Sequence, residues 1–266
     1  MAVIETLKHF LKLYISPLNR IKLRTHYRWW SGLWYVGNKC ECPCCGIRVR
    51  RFLPAGVVSR KGAQCPCCGA FERHRLMMLY LRDRTDFFTQ THQVLEISPR
   101  YLVQKKFQSM KNLTYLSGDL FDPLAMVRLD VTSLPVKTAS CDYILCYSVF
   151  ETVPDDIGGM KEIFRALKPG GSAIIHVYVD WSRDETFEDA AVTSPEDREK
   201  TFGGRFNCRV YGADYPRRLE AAGLRVQCID FVSVFSAGEI ARYGLTNVRY
   251  IFLCSKPEGQ NLRGEA

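Results

Sequence analysis

The sequence predicts an α/β protein: a mostly parallel, seven-stranded sheet covered by helices, preceded by a small cysteine-rich module. From residue 93 onward, short apolar runs alternate with stretches of helical periodicity, the pattern of parallel strands joined by helical crossovers. Seven of the twelve cysteines fall between Cys40 and Cys68, in pairs rather than scattered, which points to metal ligation in a reducing compartment. A chain of 266 residues suffices for one sizeable core plus an appendage.

The overall charge of +9 is unevenly placed. Residues 1–75 hold 14 Lys/Arg against 3 Asp/Glu, or +11, which leaves 23 basic and 25 acidic residues, or −2, for the remainder. The basic N-terminal part therefore has either a solvated face or a surface for nucleic acid, anionic lipid or an anionic substrate. No run approaches the ~20 apolar residues of a membrane span. No small-residue cleavage site follows the apolar N-terminal positions, so no signal peptide is expected and the expected location is cytoplasmic.

Along the chain, Val3, Ile4, Leu7, Phe10, Leu11, Tyr14 and Ile15 share one face of a helix over 3–15, which Pro17 should stop. "RIKLRTHYRWWSGLWYVG" then mixes arginine with Trp29, Trp30 and Trp34. The segment 1–38 either packs on the rest of the protein or lies on a membrane as a peripheral anchor. The module and its linking helix occupy 39–90, the sheet domain 91–257 and a loose tail 258–266. Strands are expected at 93–97, 113–116, 126–129, 142–147, 172–179, 225–231 and 248–254, and helices at 100–110, 156–167 and 212–222. The 180–211 segment is long for a plain connection and reads as a substrate lid, with Ser194 capping a short helix begun by Pro195.

"CPCCG" occurs at 42–46 and again at 65–69. Read as C-x-x-C pairs 19 residues apart, Cys42, Cys45, Cys65 and Cys68 can close a tetrahedral four-thiolate zinc site. Such a site leaves no open coordination position, so the metal is expected to be structural, and its loss to unfold the module locally. The glycine after each pair frees the backbone to turn its N–H groups toward the thiolates. In "ERHRLMMLYL" three basic residues follow Glu72 in the first turn of an apolar helix, against the helix dipole. An anion or a salt-bridge partner in the sheet domain would account for them, His74 being a packing histidine.

In the sheet domain, acids stand at successive strand ends: Glu96, Asp119 and Asp130. Open α/β sheets bind ligands along that edge. An acid after the second strand can accept ribose hydroxyls, and one after the third an adenine amine. The turn after Glu96 reads "ISPR", with no glycine to let the backbone approach a ligand.

"ALKPGG" before a strand, and "LDVTSLP" followed by "SCDYILCYSVFETVPDD", resemble the small-molecule branch of the class I S-adenosylmethionine-dependent methyltransferases over residues 93–254. The paired knuckles, "ERHRL", "TFED", "FGG" and "RVYGAD" are similar to a bacterial subfamily of zinc-knuckle methyltransferases, whose first-strand loop also tends to carry proline. The resemblance implies a Rossmann-like sheet with a zinc-ribbon-like module, and methyl transfer to a small-molecule acceptor. It implies S-adenosylmethionine held by Glu96 (methionine ammonium), Asp119 (ribose) and Asp130 (adenine), with Ser98 and Cys146 lining the pocket. The general base is open among His176, Asp180, Arg209 and Tyr211. Where the subfamily usually has Asp-His-Val, this chain has Phe206-Asn207-Cys208. A non-catalytic binding module of the same fold, or a nucleic-acid-binding zinc protein that methylates RNA, are the alternative readings.

Overall fold

The computed structural model describes residues 16–57 and 59–258. The helix expected over 3–15 and most of the tail lie outside the described residues. Pro17 starts a helix: α1 spans Pro17–Gly32, and the Ser16 hydroxyl accepts the Asn19 N–H at 3.3 Å. Proline's fixed φ suits a first helical position, where its missing N–H costs nothing. This helix rests on the second knuckle; a Cβ at Gly32 would come 2.7 Å from Cys67 Cα. Its exposed side mixes Lys22, Arg24 and His26 with Leu23, Tyr27 and Trp30, the last at 65% exposure, and Trp34 beyond it is at 84%. No described helix is long and apolar enough to cross a membrane.

Two short hairpins frame the knuckles. The first pairs β1 (Val36–Glu41) with β2 (Arg48–Val49), and the second pairs β3 (Leu53–Ala55) with β4 (Arg60–Gln64). Helix α2 (Glu72–Arg84) then carries the chain onto the sheet. The sheet domain runs β5 (His92–Ile97), α3 (Tyr101–Gln108), β6 (Leu113–Asp119), β7 (Val127–Arg128), β8 (Cys141–Tyr147), α4 (Asp156–Ala166) and β9 (Leu167–His176). After it come β10 (Phe187–Glu188), α5 (Pro195–Phe202), β11 (Arg209–Val210), α6 (Tyr215–Ala221), β12 (Arg225–Asp230), α7 (Ala237–Tyr243) and β13 (Tyr250–Ser255).

The seven-stranded sheet has the order β12-β13-β9-β8-β5-β6-β7, and β13 runs antiparallel to both neighbours. From β5 the chain builds outward through β6 and β7, then returns to place β8 on the other side of β5. The crevice at that reversal is where this architecture takes ligands.

Strand alternation divides the core in two. Leu95, Ile97, Ile144 and Cys146 face α4 and α6, whereas Val94, Leu145 and Tyr147 pack with α2, α3 and the module cysteines. The expected boundary near residue 90 therefore runs through one packed core. Arg75 fastens it. Fully buried, its guanidinium donates to the carbonyls of Gly62, Ala63 and Ala70 in the module, and to those of Tyr243 and Gly244 after α7. The partner expected for the helix-start arginines is, for Arg75, five backbone oxygens rather than a carboxylate.

Candidate active site and cysteine cluster

Two non-glycine residues mark the crevice. Ser98 follows β5 at φ 56° and Ser148 follows β8 at φ 52°, a left-handed conformation that is uncommon outside glycine and gathers at functional sites. Each is pinned by its backbone: the Ser98 N–H donates to Gly118 O at 2.8 Å, and the Ser148 N–H to His176 O at 2.8 Å. The glycine-free turn thus adopts the backbone a glycine would. Gly118, by contrast, admits no side chain, since a Cβ there would lie 2.4 Å from Leu129 Cβ.

Ser98, Ser148, Asp119 and Asp130 line a cavity of about 360 Å³, walled by Leu120, Phe121 and Val131 among others. Asp119 spends one oxygen on its own turn, accepting the Phe121 and Asp122 N–H groups at 2.7 Å. Asp130 does the same, accepting from the Thr132 N–H at 2.9 Å and its hydroxyl at 2.7 Å. In each case the second oxygen has no hydrogen-bond partner among the described residues and is open to a ligand. Two fixed acceptors against apolar walls suit a flat, polar-edged group such as a nucleoside.

A second cavity of about 750 Å³ opens beside the ends of β9 and β12, lined by His176, Tyr178, Trp181, Asp230, Asn247 and Tyr250 among others. Glu151 lines neither cavity but neighbours the wall of each. It precedes Thr152 on the small cavity's wall, and its Oε1 accepts the N–H of Tyr178 from the larger at 3.0 Å. Glu151 Oε2 and His176 Nδ1 are buried without a partner among the described residues. Burial raises the Glu151 carboxyl above the usual range. Burial, with Arg73 nearby, lowers His176 to about 3, so its imidazole is neutral at physiological pH.

The ligand atoms of Cys42, Cys45, Cys65 and Cys68 all lie within 4.8 Å of one another, with Sγ–Sγ separations of 3.6 Å for Cys42–Cys68 and 3.9 Å for Cys45–Cys65. Sulfurs at the corners of a tetrahedron, each ~2.3 Å from a zinc ion, stand ~3.8 Å apart, so the donor set fits. Cys44 and Cys67 are outside it. Gly46 and Gly69, both at φ 73°, turn the knuckles as expected, but their N–H groups donate to the Cys42 and Cys65 carbonyls, which corrects the thiolate-directed role.

Residues 76–175 match the family model Methyltransf_11, a methyltransferase domain. The match covers less than half of the chain, and the sheet has the Rossmann-like methyltransferase fold. Among solved structures the chain is similar to the [4+2]-cyclase SpnF, at 14% identity and a TM-score of 0.51 over 88% of this chain and 95% of that one. It is also similar to the Burkholderia thailandensis 1,6-didemethyltoxoflavin-N1-methyltransferase bound to 1,6-didemethyltoxoflavin and S-adenosylhomocysteine, at 16% identity and 0.45 over 70% and 78%. A third is Haemonchus contortus phosphoethanolamine N-methyltransferase 2 in complex with S-adenosyl-L-methionine, at 15% and 0.45 over 70% and 53%. At these identities the likeness concerns the fold. No curated protein matches the chain.

Within the methyltransferase domain, Asp119, Asp130 and Ser98 reach the small cavity and His176 the large one. Glu96 and Cys146 reach neither. Cys146 is wholly inside the core behind α4, and Glu96 projects from the opposite face of β5, where the Tyr115 hydroxyl donates to it. Arg209 and Tyr211 are corrected from catalysis to construction. Arg209 is buried against the carbonyls of Phe150, Val153 and Pro154 and against Glu188 at 2.9 Å, while the Tyr211 hydroxyl lies 2.8 Å from Asp156. Both tie the 180–211 segment to the loop after β8 and the start of α4. Asp180 is spent on its own turn with Ser182 and Arg183. Asn207 donates to Phe202 O at 3.0 Å at the end of α5.

The sequence reading missed Glu151 and Ser148. Glu151 and Ser148 sit inside the quoted "YSVFETV", where the apolar run masks them. Burial raises Glu96 from an ordinary value of 4.5 to about 7. The folded state therefore holds an extra proton between those pH values, and stability falls as pH rises from 4.5 through 7. Glu96→Gln should abolish this fall, gaining on the wild type by about 1–3 kcal/mol between pH 5 and pH 8. Denaturant midpoints at both pH values measure it; a constant difference would refute the buried ionisation.

Proposed function

We propose that the protein transfers a methyl group from S-adenosylmethionine to a small-molecule acceptor, with the nucleoside in the 360 Å³ cavity. The observation that carries this is the pair of strand-end carboxylates, Asp119 and Asp130, each with an oxygen left over beside apolar walls. The cofactor supplies an electrophilic sulfonium methyl. Asp119 accepts the ribose hydroxyls and Asp130 the adenine amine. The acceptor enters through the 750 Å³ cavity, where the neutral His176 on its wall orients it. Glu151, whose Oε1 accepts the Tyr178 N–H from that wall and whose carboxyl is raised by burial, is the base we propose for the proton that an N or O acceptor releases. A zinc ion held by Cys42, Cys45, Cys65 and Cys68 has a structural role.

A charge-assisted hydrogen bond contributes ~1.5–3 kcal/mol, so Asp119→Ala should weaken S-adenosylhomocysteine binding about tenfold to a hundredfold with the fold intact. Calorimetric titration of wild type and variant decides it. An unchanged affinity would move the cofactor out of this cavity.

A further inference from the structure

From residue 6 to residue 40 the chain has seven Lys/Arg and no Asp or Glu. Helix α1 occupies the middle of that stretch and divides it by side. Arg28 and Gly32 lie against the module: a Cβ at Gly69 would meet Arg28 Cδ at 3.3 Å, and one at Gly32 would meet Cys67. Each residue advances about 100° round a helix, so Leu23, Tyr27 and Trp30 form a ridge on the side away from the module. Trp34, in the turn of 3₁₀ helix that follows, continues it. All four are exposed, Tyr27 at 73%. The same spacing sets Arg20 and Arg24 along one flank of the ridge and Lys22 and His26 along the other. An open cleft lies among Tyr27, Trp30, Leu33 and Trp34.

Aromatic rings held outward between cations match the headgroup level of an anionic bilayer, where Trp and Tyr gather and Lys/Arg meet lipid charge. Two other occupants fit less well. Leu23, Leu33 and Val36 widen the exposed surface with side chains on which no nucleic-acid base can stack. A second copy would set cations against cations on both flanks. The chain ahead of α1 has the same mixture in sequence, with Leu7, Phe10, Leu11 and Tyr14 beside Lys8 and Lys12. None of the ridge residues lines the 360 or the 750 Å³ cavity.

We propose that the outer side of α1, continued through Trp34, seats the protein on an anionic lipid bilayer. Tyr27, Trp30 and Trp34 enter the interface, and Arg20, Lys22 and Arg24 face the headgroups. The attachment is independent of the cofactor reading. Full-length, zinc-replete protein is sedimented with vesicles of phosphatidylcholine alone and with vesicles of phosphatidylcholine and phosphatidylglycerol in about equal parts. The wild type should partition onto the anionic vesicles at least about tenfold more strongly than onto the neutral ones. Trp30→Ser/Trp34→Ser should lower that partitioning about tenfold or more, and Lys22→Glu/Arg24→Glu about twentyfold or more. Both double variants should keep the melting temperature and zinc content of the wild type. No sedimentation with anionic vesicles, or equal sedimentation with both kinds, overturns the proposal. Binding that ignores both double variants overturns it too and hands attachment to another part of the chain. A tryptophan variant that melts well below the wild type overturns it in favour of packing. Binding of polyuridylate without binding of vesicles overturns it in favour of nucleic acid, and a dimer that the tryptophan variant splits overturns it in favour of a second copy.

Discussion

Replacing Cys65 and Cys68 together by alanine is expected to abolish metal binding and to unfold the sheet domain along with the knuckles. Sequence alone placed the damage in the module. The structure places the module's cysteines in one apolar cluster with α2, α3 and one face of the sheet, including Leu145, Tyr147 and Ile174. Four-thiolate zinc contributes ~10–16 kcal/mol in small metal domains, as much as the ~5–15 kcal/mol by which a typical domain is stable. Loss of the ion leaves sulfurs with no shared charge at the centre of that cluster and loosens the bed on which α2 lies. The wild type should carry one zinc per chain by elemental analysis, and chelation should lower far-UV ellipticity well beyond what the small hairpins contribute. Less than about half an equivalent of zinc after metal-replete expression, or a double variant that melts like the wild type, would refute this.

Arg75→Met should rank next in effect. The substitution keeps the stem packed over Phe52, whose ring centroid lies 4.0 Å from the guanidinium carbon. It removes the donors to five carbonyls, those of Gly62, Ala63, Ala70, Tyr243 and Gly244. Unpaired buried carbonyls cost about 1–3 kcal/mol each, softened by relaxation and entering water, so a loss of about 4 kcal/mol or more is expected. Arg75→Lys, with three donors and no planar fork, should fall between. Denaturant unfolding followed by fluorescence gives the ranking. A loss under about 1 kcal/mol for methionine would mean that the seam between module and α7 contributes little.

The central strands β5 and β8 were legible because parallel strands buried on both faces read as short apolar runs, and all seven strands overlap the runs expected. That same double burial hid which way each side chain points. Leu95 and Ile97 on one face and Val94 on the other look alike in sequence, so nothing indicated that Glu96 turns from the cavity toward Tyr115. Asp119 and Asp130 were readable because an acid beyond a strand end lies on the ligand-binding edge whatever the parity. Arg209 and Tyr211 were misjudged because residue type does not disclose partners; only the fold shows the carbonyls and Asp156 that occupy them. Helix α7 was overlooked although Ser236 and Glu239 form a capping box, a signal that the sequence does carry.

The central claim is that a turn without glycine still holds the cofactor, its left-handed Ser98 supplying the backbone and Asp119 and Asp130 the anchors. Calorimetric titration of the full-length, zinc-replete protein with S-adenosylhomocysteine tests it most directly. Saturable binding of one molecule per chain with a dissociation constant below a millimolar, lost about tenfold or more in Asp119→Ala, is the predicted result. No heat of binding at millimolar ligand would contradict it and leave a methyltransferase fold without its cofactor.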